Sequence, residues 1–192
     1  MTYAEQVNLL VKTLAHLKPK RATLLVAIDG GGGAGKSTLA RTLCERLDAS
    51  MIQKDDFYLP SSELPSREES IEKPGSSFDW PRLIEQVLNP LLQGREARYQ
   101  RFDWPTQRLD NWLTVPAGGI ILIEGVYSSR EELRPFYDFI IWVECSENVR
   151  VERGIARDGE HSRVWWVNDW LPAEQAYVKS NPQKWADFIV HA

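Results

Sequence analysis

The sequence predicts an α/β fold, a three-layer sandwich with a central parallel sheet and a small hairpin and lid insertion. Three observations carry that prediction. Thr23-Leu-Leu-Val-Ala-Ile28, Ile120–Ile123 and Phe139–Val143 are continuous apolar runs of strand length, the pattern of strands buried on both faces of a parallel sheet. Stretches with helical apolar spacing stand between them, so buried strands alternate with helices. The first run also passes through Asp29 and a glycine cluster into a helical stretch.

The elements follow in order. Tyr3, Val7, Leu10, Val11, Leu14 and Leu17 recur at three and four residues. They predict an amphipathic helix within residues 1–20, stopped by Pro19. Thr23–Ile28 is the first buried strand, Lys36–Leu47 a helix and Ser50–Gln53 a short second strand. Phe57–Ser77, rich in Pro, Ser and Glu, reads as a surface loop. Pro81–Leu92 reads as a helix with proline in its first turn. Arg98–Trp104 and Leu109–Val115 form the arms of a hairpin around Pro105-Thr106. After the two further buried strands, Ser146 caps a helix over Glu147–Arg157. Another helix falls within Trp165–Lys179, and Phe188–Val190 is a last short strand. No repeat or low-complexity tract interrupts the chain, which reads as one domain over 1–192.

Composition narrows the function classes. The 192 residues include 43% hydrophobic and 26% charged side chains, a balance that folds rather than stays disordered. A chain of this length buries roughly 70% of its unfolded surface, so it needs no staple. The net charge of −4 leaves no basic footprint for nucleic acid or an anionic membrane. Cys44 and Cys145 have no partner at ligand spacing, which argues against zinc. Both read as buried thiols of a reducing cytoplasm. The N-terminal stretch lacks a signal-peptide apolar region, and the apolar runs are too short to span a bilayer.

Gly30-Gly31-Gly32-Gly33-Ala34-Gly35-Lys36-Ser37 matches G-x-x-x-x-G-K-[ST], between a buried strand and a helix. Main-chain amides of such a loop point inward, and the helix N-terminus adds partial positive charge. Gly32, Gly33, Ala34, Gly35, Lys36, Ser37 and Thr38 are therefore the candidate grip on the phosphates of ATP. Glycine is expected there because a side chain would block the phosphates. Lys36 would meet the β and γ phosphates, and Ser37 would bind Mg²⁺. This makes the fold a P-loop NTPase sandwich. No N-K-x-D base-reading motif of a GTPase is present.

Ligands of an open parallel sheet sit outside the carboxyl ends of its strands. Asp55 and Asp56 follow the second strand and Glu124 follows Ile120–Ile123, so both places should face the phosphate loop. Glu124 stands where a metal-associated acid belongs. Asp55 is placed to orient an attacking hydroxyl and to lie near the metal, although spacing does not separate it from Asp56. A carboxylate of pKa about 4 positions an alcohol better than it deprotonates it. Arg150, Arg153 and Arg157 share a helix face. With Arg163 they form a cationic strip that suits a transferring phosphoryl group. The alternative is a solvated face paired with Glu147, Glu152 and Asp158.

In order, Gly30–Ser37, Lys54-Asp-Asp-Phe-Tyr58, Ser77-Phe-Asp-Trp-Pro81, Phe102-Asp-Trp104, Ile120-Ile-Leu-Ile-Glu-Gly125, Arg150-x-x-Arg153-x-x-x-Arg157-Asp158 and Lys184–Val190 resemble the uridine kinase family of P-loop kinases. Phosphoribulokinase-like and pantothenate kinase-like proteins are relatives within that resemblance. It implies that Asp55, rather than Asp56, stands beside the acceptor hydroxyl, and that Ser37 and Glu124 are magnesium-associated. It further implies that Asp79 and Arg150 hold ribose hydroxyls and that Tyr58, Phe78, Phe102 and Trp104 wall a base. Arg153 and Arg157 would be lid arginines over the ATP phosphates. Residues about 57–116 would bind the acceptor and about 150–165 would be the lid.

The chain departs from the family in several places. Gln107 stands where nucleoside kinases carry a histidine that reads the pyrimidine, though an amide still donates and accepts. His16, His161 and His191 do not compensate. Trp80 stands in place of the histidine of F-D-H-P, Gly154 replaces one of two paired lid arginines, and the lid segment Asp158–Arg163 is short. The expected activity is ATP- and Mg²⁺-dependent phosphorylation of a small-metabolite hydroxyl, first the 5′-hydroxyl of a uridine- or cytidine-like nucleoside. The rivals are another acceptor (a sugar, pantothenate or glycerate-like compound) and an ATP-binding regulator without turnover. No nucleic-acid or membrane partner is expected, and a second copy of the chain stays open as a partner. Trp165, Trp166 and Trp170 leave a protein interface open as well.

Overall fold

The computed structural model describes residues 1–18 and 21–192. Its strands are β1 (Thr23–Asp29), β2 (Ser50–Gln53), β3 (Ala97–Asp103), β4 (Arg108–Val115), β5 (Gly119–Glu124), β6 (Phe139–Glu144) and β7 (Phe188–His191). The helices are α1 (Tyr3–His16), α2 (Lys36–Leu47), α3 (Arg67–Glu72), α4 (80–92), α5 (Glu147–Asp158) and α6 (163–179), with short 3₁₀ turns between some of them. β1 is apolar at five consecutive positions, Leu24–Ile28, and all seven of its residues are buried. It therefore takes the middle of a five-stranded parallel sheet of order β2-β5-β1-β6-β7.

Alternate residues of β1 feed two cores. Leu24, Val26 and Ile28 join Val7, Leu10 and Leu14 of α1 and Leu39 and Leu43 of α2 on one face. Leu25 faces the other way, with Ile121 and Ile123, and meets Leu83, Val87 and Leu91 of α4 and Tyr99 of the β3–β4 hairpin. The three predicted layers are present. Their register brings strand ends together: Glu124 lies opposite both Ile28 and Gln53. The segments that follow β1, β2 and β5 thus emerge side by side at one edge.

Several local expectations change. α1 ends at His16, where the Leu17 N–H bonds Thr13 and Leu14 carbonyls; Pro19, the expected stop, lies outside the described residues. The expected loop 57–77 contains α3, started by a capping box in which Ser66 and Glu69 satisfy each other's main-chain N–H. Ser146 holds the N-cap position of α5 but its side chain makes no capping bond. The turns Ile84–Leu88 and Trp166–Trp170 are widened to π geometry, and each precedes a proline, Pro90 and Pro172. A proline lacks the N–H and crowds the carbonyl four residues back, so the widened turn lets each helix continue. Cys44 and Cys145 are free and half-buried rather than buried. Among the described residues no helix is long and apolar enough to cross a membrane.

Candidate active site

The phosphate loop leaves β1 at Asp29, whose side chain is fully buried. Its carboxylate accepts from Gly30 N at 2.7 Å, Ser129 N at 2.8 Å, Ser129 Oγ at 2.7 Å and the Tyr177 hydroxyl at 2.7 Å. Four donors satisfy a carboxylate in an apolar place. The sequence reading passed over Asp29; its signal was a lone acid closing an all-apolar strand.

The glycines of the loop also answer to the protein itself. A Cβ on Gly32 would lie 2.8 Å from Glu174 Oε1 and 2.8 Å from Trp166 Cη2. Cβ atoms on Gly31 and Gly33 would collide with the Arg150 guanidinium and carbonyl. Helices α5 and α6 approach the loop too closely for a side chain at Gly31, Gly32 or Gly33.

Gly35 holds the N-cap of α2 with φ +96° and offers no side-chain acceptor. The first-turn N–H groups of α2, which no intrahelical carbonyl can reach, keep their capacity for an anion. That arrangement fits a polyphosphate. Lys36 is buried and donates through Nζ to Gly31 O at 2.9 Å. Ser37 Oγ donates to Glu124 Oε1 at 3.0 Å, so the hydroxyl and the carboxylate expected beside Mg²⁺ meet directly. Burial pushes the Glu124 carboxyl up from its ordinary value, the nearby Lys36 charge opposing it. A hydroxyl beside a carboxylate is an oxygen donor set that suits a hard cation. Thr38 lies one residue further into the helix, its carbonyl accepting from Thr42.

The structure separates the paired acids. Asp56 turns inward and accepts from the Tyr99 hydroxyl at 3.1 Å, with burial raising its carboxyl pKa. Asp55 is exposed, and its carboxylate has no hydrogen-bond partner among the described residues. A Cβ on Gly125, which follows Glu124, would lie 3.7 Å from Asp55 Oδ1. Lys54, between Gln53 and Asp55, is fully buried, and among the described residues Nζ has no hydrogen-bond partner.

The four aromatic residues meet in one cluster. Tyr58 packs on Phe78, Phe102 and Trp104 with ring centroids 5.0, 5.5 and 4.8 Å away. Gln107 lies at the hairpin turn with φ +56°. Its amide is engaged by Trp104 O at 2.7 Å and Ser61 Oγ at 3.0 Å. Asp79 caps α4, accepting from Arg82 N at 3.0 Å and Arg82 Nε at 3.2 Å. Arg150 bonds Gly32 O at 3.0 Å and Glu174 Oε2 at 2.7 Å, and among the described residues it shares no hydrogen bond with Asp79.

The arginines of α5 do not form one solvated strip. Arg150 is buried on the loop. Arg153 donates to Cys145 Sγ at 3.5 Å, and Arg157 pairs with Asp158 at 2.7 Å. Asp158 holds the Arg157 guanidinium pKa above its ordinary value, with smaller contributions from Asp55 and Glu124. The Gly154 departure has a structural reason, because a Cβ there would run into the Trp166 ring. Trp166 is 2% exposed and donates to Asp158 at 3.0 Å, so it is packing rather than interface. Trp165 is exposed.

The model of the phosphoribulokinase / uridine kinase family matches residues 25–163. A uridine kinase of Halobacterium salinarum is 31% identical over 69% of this chain and 61% of its own length. A uridine kinase of Clostridium tetani is 30% identical over 87% of this chain and 86% of its own. A solved structure described as a possible uridine kinase from Bacillus stearothermophilus covers 98% of this chain and 99% of its own at 25% identity, with a TM-score of 0.78. The matched span runs from the middle of β1 through the phosphate loop, the strand-end acids and the arginines of α5, and the chain belongs to the phosphoribulokinase / uridine kinase family.

Proposed function

We propose that this chain is an ATP-dependent kinase that transfers the γ-phosphoryl group to a hydroxyl of a small metabolite, with the 5′-hydroxyl of a uridine- or cytidine-like nucleoside as the first candidate. One observation carries the reading. The Ser37–Glu124 hydrogen bond, 3.0 Å long, ties the phosphate loop to a strand end in register with the segment that leads to Asp55. In-line transfer needs such a convergence of phosphate grip, metal-side acid and acceptor-side acid.

The first-turn N–H groups of α2 and the Lys36 ammonium would hold the triphosphate. Ser37 and Glu124, with Asp55 nearby, would hold Mg²⁺, which supplies charge neutralisation between the phosphates when bound. Asp55 orients the acceptor hydroxyl and takes its proton late in the transfer. Arg153 and Arg157 would be the cations of the lid, since both are exposed and neither bonds the phosphate loop. Tyr58, Phe78, Phe102 and Trp104, packed tilted and edge-to-face, would line the acceptor side as an aromatic cluster. The match to uridine kinases in sequence supports a nucleoside acceptor.

A second reading keeps the chemistry and changes the acceptor. It is favoured by Gln107, which stands in place of the base-reading histidine and whose amide already spends one donor on Trp104 O and one acceptor site on Ser61 Oγ. A panel of nucleosides, sugars, pantothenate and glycerate scored by ADP release separates the two. Release driven by uridine or cytidine supports the first reading, and release driven only by another compound supports the second. ATP binding without acceptor-dependent release for any of them contradicts both and leaves a regulator.

A further inference from the structure

We propose that Glu174 and Tyr177, one turn apart on α6, are positioning residues that hold the phosphate loop in its nucleotide-gripping shape. The inference rests on the kinase reading and deepens it. Both oxygens of Glu174 accept from Gly32 N at 3.0 Å, and Glu174 Oε2 accepts from Arg150 Nη1 at 2.7 Å. The same guanidinium nitrogen donates to Gly32 O at 3.0 Å. The N–H and the carbonyl of Gly32 are therefore both held, one by α6 directly and the other through α5. Tyr177, three residues on and on the same helix face, donates at 2.7 Å to Asp29, which accepts from Gly30 N. The four side chains Asp29, Arg150, Glu174 and Tyr177 are all buried.

This clamp answers a specific need. Five of the six residues from Gly30 to Gly35 are glycines, so the loop has almost no side chains with which to define its own shape. Glycine has the largest backbone freedom to lose on ordering. A loop that had to order around the nucleotide would subtract that loss from its affinity. Here the ordering is built into folding, through two side chains of α6 that bond Gly32 N and Asp29. Trp166 seals the same contact from above, against Gly32 and Gly154.

The test is titration calorimetry of ATP with Mg²⁺ into the full chain, beside thermal unfolding without nucleotide. Tyr177→Phe removes only the hydroxyl, and Glu174→Ala removes the acceptor and the Arg150 partner. Each is expected to weaken ATP and ADP about ten-fold. Tyr177→Phe is expected to shift the nucleotide-free unfolding midpoint by no more than about 5 °C. Glu174→Gln keeps an oxygen for Gly32 N–H and is expected to recover most of the affinity lost in Glu174→Ala. Variants that bind ATP as tightly as the wild type overturn the clamp. So does tighter binding, which would mean that the carboxylate obstructs the phosphates. A wild-type chain that binds no ATP overturns the kinase reading beneath it.

Discussion

The ammonium of Lys54 lies 2.9 Å from the centroid of the Phe78 ring, with Trp80 and Tyr127 at 4.6 and 4.9 Å. Three rings partly replace the water that this side chain gives up. Burial, the largest influence, holds its pKa well below the ordinary 10.5, while the nearby Asp55 and Asp29 oppose that shift. The unfolded chain therefore binds the extra proton between the lowered value and 10.5, so stability rises with pH across that window and is lost as pH falls. Lys54→Met, similar in shape and uncharged, is expected to raise the unfolding midpoint at neutral pH and to flatten this rise. Denaturant melts from pH 7 to 10 check both, and an unchanged slope in the variant contradicts the assignment.

Lys36→Ala is expected to lower turnover by about a thousand-fold. The cost in stability should be only about 1–2 kcal/mol, because one hydrogen bond, to Gly31 O, is lost. Steady-state rates beside a melting curve separate the two effects. Wild-type turnover in this variant would remove Lys36 from the mechanism.

Ser37 and Glu124 act as one unit across their shared hydrogen bond. Ser37→Ala and Glu124→Gln should each reduce Mg²⁺-dependent turnover by about a hundred-fold, with the double variant little worse than either. Removing divalent cations with EDTA should stop the wild-type reaction. Additive losses in the double variant would show that the two residues serve separate steps.

Asp55 and Asp56 should part cleanly. Asp55→Asn is expected to remove most turnover while leaving the melting midpoint in place, since the side chain is exposed. Asp56→Ala leaves the buried Tyr99 hydroxyl unpaired, at about 1–3 kcal/mol of stability. The opposite pattern in rates and melts would exchange their roles.

Gly154→Arg restores the residue type of the family's paired lid arginines and should fail, because Trp166 occupies the space. Overpacking of this kind is expected to cost about 1–3 kcal/mol. The shift should appear in the melting curve and as increased solvent exposure in the tryptophan emission. A well-folded, more active variant would show that the lid can move aside at no penalty.

Much of the fold was legible because its signals are local. The apolar runs at 23–28, 120–123 and 139–143 can be satisfied only by burial on both faces, and those strands form as expected. Helix α2 begins at Lys36, where the glycine loop ends. The short helix α3 was hidden by its Pro- and Ser-rich flanks, although the Ser66–Glu69 capping pair was its signal. The π turns before Pro90 and Pro172 could not be read, because a lone proline signals a break unless the helix has packing on both sides to hold it together.

The site divides along the same line. By itself the sequence determined the phosphate loop, the acids at the strand ends and the family, because each is a contiguous pattern with a short-range physical reason. Only the tertiary structure decided which acid of the 55–56 pair faces outward, since one residue of rotation in a tight turn reverses the answer. It alone also decided that Arg150 bonds the loop at Gly32 O, that Trp166 fills the space beside Gly154 and that Glu174 holds Gly32 from 142 positions away. Contacts over such separations depend on the order of strands in the sheet and on how closely two helices approach a loop without side chains.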